Sequence, residues 1–176
     1  MLVDLVVFDI AGTTVYDEDA AHRCLADSIA EMAGAPQALI VAALLHDVGH
    51  LLNGRAGQPH SGGDAFHEIA GQRWLGRFFG PDVTEPVRHV DAKRSLCTTD
   101  PAYLEALSPA SGESLSCQGG PLHGEEPSDF AHRPFALAGV RLRRWDDRAK
   151  ATGRAVPALE HYRDLLMAVA RHAVSS

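Results

Sequence analysis

No stretch of apolar residues approaches the roughly 20 that a bilayer span needs, so no transmembrane helix is expected. Basic residues are too few and too scattered to form a stripe. Lys and Arg number 16 against 23 Asp and Glu, a net charge of −7 that argues against duplex nucleic acid as a partner. Cysteine is scarce as well. Cys24, Cys97 and Cys117 are odd in number and widely spaced, which fits reduced cytoplasmic thiols and neither a disulfide framework nor a CxxC zinc site. No basic segment precedes the apolar start, so no secretion signal is expected and the chain reads as cytoplasmic. Internal repeats are missing, and so is any linker long enough to divide two domains. With 176 residues, 45% of them hydrophobic and 22% charged, the chain has the makings of one soluble globular domain with its own core.

Histidine is what the chain has in excess, with ten in 176 residues. Ile40 to Leu45 is a continuous apolar run of the kind a buried helix shows, and it leads straight into His46-Asp47-Val48-Gly49-His50. Burying an uncompensated carboxylate costs several kcal/mol, so a His-Asp pair at the end of such a helix demands partners for both groups. A metal cation serves both at once.

The elements around this pair read as mostly helical. Leu2 to Ile10 is apolar and β-branched, a short strand running into the turn Ala11-Gly12-Thr13-Thr14. Asp17 to Ala33 has helical composition and would stop at Gly34. Pro36 opens a helix from Gln37 to about Leu45 that carries the His-Asp pair at its C-terminal end. Asn53 to Asp64, rich in Gly, Ser and Pro, is expected to be a mobile loop and a candidate lid. Further helices are expected over Phe66–Phe79, Thr84–Leu96, Pro101–Leu107 and Ala136–Lys150, with an amphipathic one over Pro157–Ala173, and the segment from Ser111 to Gly120 ends in Gly119-Gly120-Pro121. Leu122 to Pro134 reads as irregular. The expected fold class is all-α, with a strand only at the N-terminus.

Four of these helices deliver His or Asp toward one interior, which gives a candidate ligand set of His22, His46, Asp47, His67, His89 and Asp146. Imidazole with carboxylate suits iron, manganese or zinc better than calcium or magnesium, and a bridging carboxylate would let six ligands hold two ions. Asp147 competes with Asp146, and spacing alone leaves that choice open. Any one of these histidines, taken singly, is more often a satisfied core or surface residue than a ligand. His60, His123, His132, His161 and His172 sit in polar loops or on the last helix and read as solvated. Glu68 could orient His67, although a helix-surface carboxylate is the commoner explanation. Lys93, one turn after His89, and Arg143, three residues before Asp146, would add positive charge beside the metals. That makes sense for a multiply charged anion such as a phosphonate or phosphate; the bland alternative is pairing with surface carboxylates.

His46-Asp47, with a histidine upstream and an aspartate downstream, resembles the HD-domain superfamily. The likeness is closer to one branch, the phosphonate-degrading HD-domain oxygenases with a mixed-valence di-iron centre. It runs from about Ala20 to Leu166. It is carried by Ala42-Ala43-Leu44-Leu45-His46-Asp47-Val48-Gly49-His50, His89-Val90-Asp91-Ala92-Lys93-Arg94-Ser95-Leu96, Leu107-Ser108-Pro109-Ala110-Ser111, Gln118-Gly119-Gly120-Pro121 and Leu142-Arg143-Arg144-Trp145-Asp146. The resemblance implies a helical HD-domain bundle over residues 21–176. It also implies two iron ions (Fe2+/Fe3+) on His22, His46, Asp47, His67, His89 and Asp146, with Asp47 bridging and Asp146 preferred to Asp147. His50, Lys93, Ser111, Gln118 and Arg143 would grip a small anionic phosphonate, and Asp47, His50 and Lys93 would take part in catalysis. The implied reaction is O2-dependent cleavage of the C–P bond of a 1-hydroxyalkylphosphonate. Its products are phosphate and a carboxylic acid, glycine when the substrate is 2-amino-1-hydroxyethylphosphonate. Two rival readings are a metal-dependent phosphohydrolase on the same fold and a non-catalytic domain that binds metal or anion.

The N-terminus departs from this pattern. Where the family places a Tyr and a Glu ahead of the first ligand histidine, this chain has Gly12 and Val15, with Tyr16 and Glu18 nearby. Residues 1–20 form an atypical segment in which Val6-Val7-Phe8-Asp9-Ile10-Ala11-Gly12-Thr13-Thr14 resembles the first motif of haloacid-dehalogenase-type phosphonoacetaldehyde hydrolases. Asp9 would be the nucleophile there, but no later strand pattern supplies the other residues such an enzyme needs.

Overall fold

The computed structural model describes residues 26, 28–54, 67–149, 157 and 159–170. Among them every regular element is helical, in keeping with the all-α expectation. The strand expected over Leu2 to Ile10, the dehalogenase-like motif, Tyr16, Glu18, His22 and residues 55–64 of the expected Asn53–Asp64 loop lie outside the described residues, while Asn53 and Gly54 belong to a helix.

Residues 28–32 are helical and end at Gly34, whose φ of +62° is the left-handed conformation that closes a helix most cheaply at glycine. Helix α1, Gln37–Leu45, starts after Pro36 and has no amphipathic face: every residue from Leu39 to Leu45 is buried. It stands at the centre of the bundle and packs against the helices Pro81–Thr84, Ala136–Ala149 and Arg163–Val169. His46 keeps helical dihedrals, and a two-residue turn through Asp47 separates α1 from α2, Val48–Gly54. The His-Asp pair therefore sits between two helices and not on the end of one.

Helix α3 covers His67–Leu75, followed by turns to Phe79. The single helix expected over Thr84–Leu96 is two: α4, Pro81–Thr84, and α5, His89–Thr99. Pro86 has no N–H to continue the ladder, and Arg88 leaves the helical region at φ −74°, ψ 51°. His89 thereby becomes the first residue of a new helix. Asp100 caps α6, Pro101–Glu105, by accepting from the Tyr103 amide, and Ser108 caps α7, Pro109–Cys117, by accepting from the Ser111 amide. The supposedly irregular stretch before Pro134 contains α8, Glu126–Ala131. That helix exists because Phe130 is buried against Ala92, Leu122 and Ala136, a tertiary anchor with no local signature. Helix α9, Ala136–Ala149, packs along α5. The last expected helix is a 3-10 turn, Leu159–Tyr162, followed by α10, Arg163–Val169, which ends before Ala170.

One main core joins α1 to Leu75, Phe79, Val83, Val87, Leu142, Trp145, Tyr162 and Leu166. Away from it α2 lies directly on α3, backbone against backbone. A methyl group on Gly49 would fall 2.6 Å from the His67 carbonyl carbon, and one on Gly71 would fall 3.2 Å from the Gly49 amide.

Candidate metal centre

The polar side chains converge where α1, α2, α3, α5 and α9 meet. His46 Nδ1 donates to the Ala43 carbonyl at 2.7 Å, and His89 Nδ1 donates to the Val87 carbonyl at 2.9 Å. A carbonyl oxygen only accepts, so both rings carry a hydrogen on Nδ1 and turn Nε2 inward. The split at Pro86 supplies the second of these contacts, because it leaves Val87 two residues ahead of His89 and outside the helical ladder.

His46 Nε2 is buried and makes no hydrogen bond, yet it faces Asp47 Oδ2 at 3.4 Å and Asp146 Oδ1 at 3.6 Å. The other oxygen of Asp47, Oδ1, faces His50 Nε2 at 3.9 Å and His67 Nε2 at 4.0 Å. Two donor groups result, His46/Asp47/His89 and Asp47/His50/His67, each with its ligand atoms within 4.8 Å of one another. Asp47 belongs to both and points one oxygen at each, which is how a carboxylate bridges two ions. The three ring contacts tie the groups together: His46–His89 centroids at 5.2 Å, His67–His89 at 5.9 Å, and His50 stacked on His67 at 3.9 Å.

The electrostatics describe a hole for a cation. Burial by itself would lower the His46 pKa, but the carboxylates of Asp47 and Asp146 outweigh it and push it up to about 9. Burial would raise Asp47, and the neighbouring His46 and His89 instead hold it below the usual carboxylate range. His89 falls to about 3, by burial first and then by the positive charge of His46 and Arg143. Without a metal, a proton on His46 supplies the positive charge that the two carboxylates call for. Nitrogen and oxygen donors of this kind, buried and already deprotonated at His89 and Asp47, fit a borderline transition ion.

Asp146 and Asp147 part company here. Asp146 lines the cavity and approaches His46, whereas Asp147 is held by Arg143 and by the Tyr103 hydroxyl, which donates to it at 2.7 Å. Beside the donors lies a cavity of about 310 Å³. His50, Lys93, Ser111, Gln118 and Arg143, the residues expected to grip an anion, all line it, together with Ser108 and Ser114. Lys93 is only 3% exposed and donates to Gln118 Oε1 at 3.2 Å. Arg143 is likewise buried; it bonds Asp146 Oδ2 through Nη1 at 2.8 Å and the Tyr103 hydroxyl through Nε at 3.1 Å. Asp146 and Asp147 raise its pKa further against the opposing effect of burial, so it stays charged. Neither cation is the surface ion pair that offered the bland explanation.

Several residues here had no reading or a different one. Glu68 is not on a helix surface: it is 4% exposed and accepts the Val90 amide at 2.8 Å, and burial raises its pKa to about 7 against the effect of that hydrogen bond. Tyr103 meets Arg143 across 40 residues, and nothing local announces it. Ser108 and Ser114 stand three residues either side of Ser111, a helical spacing that was available to find them. His123, His132 and His161 are exposed and away from the cavity, and His60 and His172 lie outside the described residues. A larger hollow of about 430 Å³, walled in part by Phe130 and Phe135, contains none of the donors, and its Arg88 and Arg133 engage Asp91.

The bundle brings together buried donors that could hold metal beside a cavity of about 310 Å³. No family model matches the chain. It is 42% identical over 157 residues to the hydroxymethylphosphonate dioxygenase of Gimesia maris, covering 86% of this chain and 78% of that protein. It is 37% identical over 163 residues to the glycine-betaine-forming [1-hydroxy-2-(trimethylamino)ethyl]phosphonate dioxygenase of Leisingera caerulea, covering 89% and 83%. An uncharacterised protein of Acanthamoeba polyphaga mimivirus is 33% identical over 150 residues. The chain belongs to the phosphonate dioxygenase family and is an oxygenase.

Proposed function

We propose that this protein is a di-iron oxygenase of the HD-domain branch that cleaves the C–P bond of a small 1-hydroxyalkylphosphonate. The observation that carries this reading is the position of Asp47, shared by two donor groups beside a cavity that holds Lys93 and Arg143. His46, Asp47, His89 and Asp146 would hold one ion, and Asp47 with His67 the other, with His22 as the remaining ligand. When bound, a mixed-valence pair of irons supplies the electrons and open coordination positions that O2 chemistry needs. The chain's own residues recognise the substrate. Lys93 offers a compact positive charge, kept in place by Gln118, and Arg143, which Asp146, Asp147 and Tyr103 hold at the cavity wall, adds a second cation beside the phosphonate oxygens. Ser111 and the His50 ring complete the polar wall. One O2 is consumed per turnover, the carbon ends as a carboxylic acid, and the phosphorus leaves as inorganic phosphate.

The Gimesia relative's name points to hydroxymethylphosphonate, which would give formate; 2-amino-1-hydroxyethylphosphonate would give glycine. The test is phosphate release by iron-loaded protein from each compound, with and without O2. Release only with O2 from either compound supports the reading, and the co-product identifies the substrate. Release without O2 would make the protein a hydrolase, and no release from either would refute the assignment.

A further inference from the structure

The buried carboxylate of Glu68 neither lines the cavity nor belongs to either donor group. Its hydrogen-bond partner is the Val90 amide, at 2.8 Å. A buried carboxylate with a single amide partner is a poor stabilising device, because desolvation costs more than one charge-assisted hydrogen bond returns. Its place in the fold explains its presence better. Glu68 follows His67 at the start of α3, and Val90 follows His89 at the start of α5. His67 belongs to one donor group and His89 to the other. α3 packs chiefly on α2 and α5 chiefly on α9, so the Glu68–Val90 bond is a direct tie between two helices whose main packing lies elsewhere.

We propose that Glu68 is a positioning residue: its carboxylate ties the N-terminus of the His89 helix to the residue beside His67, and so fixes the spacing of the two metal positions that Asp47 bridges. Asp47 joins the positions through a shared ligand, and Glu68 joins them through the backbone behind the ligands. The proposal rests on the two-metal reading above. What it requires of residue 68 is an acceptor oxygen and not a charge.

Two substitutions separate these roles. Glu68→Gln keeps an acceptor oxygen for the Val90 amide, and Glu68→Met keeps the approximate shape without one. Mn2+ serves as the probe, with binding followed by equilibrium dialysis and the spin-coupled signal of a manganese pair followed by EPR. The melting temperature of the metal-free protein monitors folding. For Glu68→Met we expect an unchanged or higher melting temperature, about 10- to 100-fold weaker binding of the second equivalent, and loss of the coupled signal. Glu68→Gln should bind both equivalents within about 3-fold of wild type and retain the signal. Wild-type binding and coupling in Glu68→Met would overturn the assignment alone, as would equal losses in both variants. A wild-type protein that takes up a single equivalent would overturn the two-metal reading and this assignment with it.

Discussion

Gly49→Ala isolates the part of the architecture on which the second donor group depends. Gly49 lies in α2 and its methyl would meet backbone, not a yielding side chain: the carbonyl carbon of His67 at 2.6 Å, with the carbonyl oxygen nearer still, and the Gly71 amide at 3.1 Å. Relieving that overlap requires α2 and α3 to separate by on the order of 1 Å. Asp47 and His50 move with one side and His67 with the other, so the Oδ1–Nε2 separation, now 4.0 Å, must change. Metal ligation tolerates departures of only about 0.2 Å, and a misplacement of about 1 Å near the chemistry costs about 100-fold in rate. Overpacking of this kind costs about 1–3 kcal/mol, which in a chain of this size lowers the melting temperature by several degrees. The expected variant is folded, several degrees less stable, binds one equivalent of Mn2+ in place of two, and turns over about 100-fold more slowly. Gly112→Ala is the control. Its methyl meets nothing within 4 Å inside α7, so it should stabilise by about 0.5–1 kcal/mol and leave metal uptake alone. Two equivalents bound by Gly49→Ala with wild-type affinity would refute the reasoning.

Four further expectations follow from the site. His46 is raised from 6.5 to about 9 in the metal-free fold, so its contribution to stability is complete below pH 6.5 and is lost as pH rises through 9. Thermal denaturation of the metal-free protein should show that decline. Metal uptake at pH 7.5 should also release about one proton from His46 and none from His89, measured by calorimetry in buffers of different ionisation enthalpy; zero release contradicts the assignment. Lys93→Met removes a buried charge, so metal-free stability should hold or rise, while binding of inorganic phosphate, read as inhibition of turnover, weakens by about 10- to 100-fold. Asp146→Asn and Asp147→Asn should diverge: the first weakens metal binding, and the second keeps the metal but loosens Arg143 and shows as a raised KM. Equal metal loss in both would contradict the geometry.

Short-range information made the metal-bearing elements legible. The apolar run before His46, the stop at Gly34, Pro36 ahead of α1, and the His89–Lys93 spacing are all local patterns, and each lies on a helix, although the one that carries His89 starts later than expected. The resemblance to phosphonate oxygenases also rests on contiguous motifs, so it too could be read without a fold. Three things could not. Pro86 was visible, but not that it would cut a helix and give His89 its own N-terminal position. Phe130 organises α8 through contacts with distant residues. The choice between Asp146 and Asp147 turns on which face of α9 meets His46 and which meets Tyr103, and successive helical residues point about 100° apart, so one position decides it.

The sequence by itself determined the helical class, the His and Asp donor types and the two cations spaced beside them, because composition and spacing along a helix are properties of neighbouring residues. Only the tertiary structure decided that Asp47 faces two donor groups at once, that Glu68 is buried behind them, and that Gly49 lets α2 touch α3. Those facts depend on how helices far apart in the chain approach one another, and that approach is set by backbone contact and desolvation across the whole core.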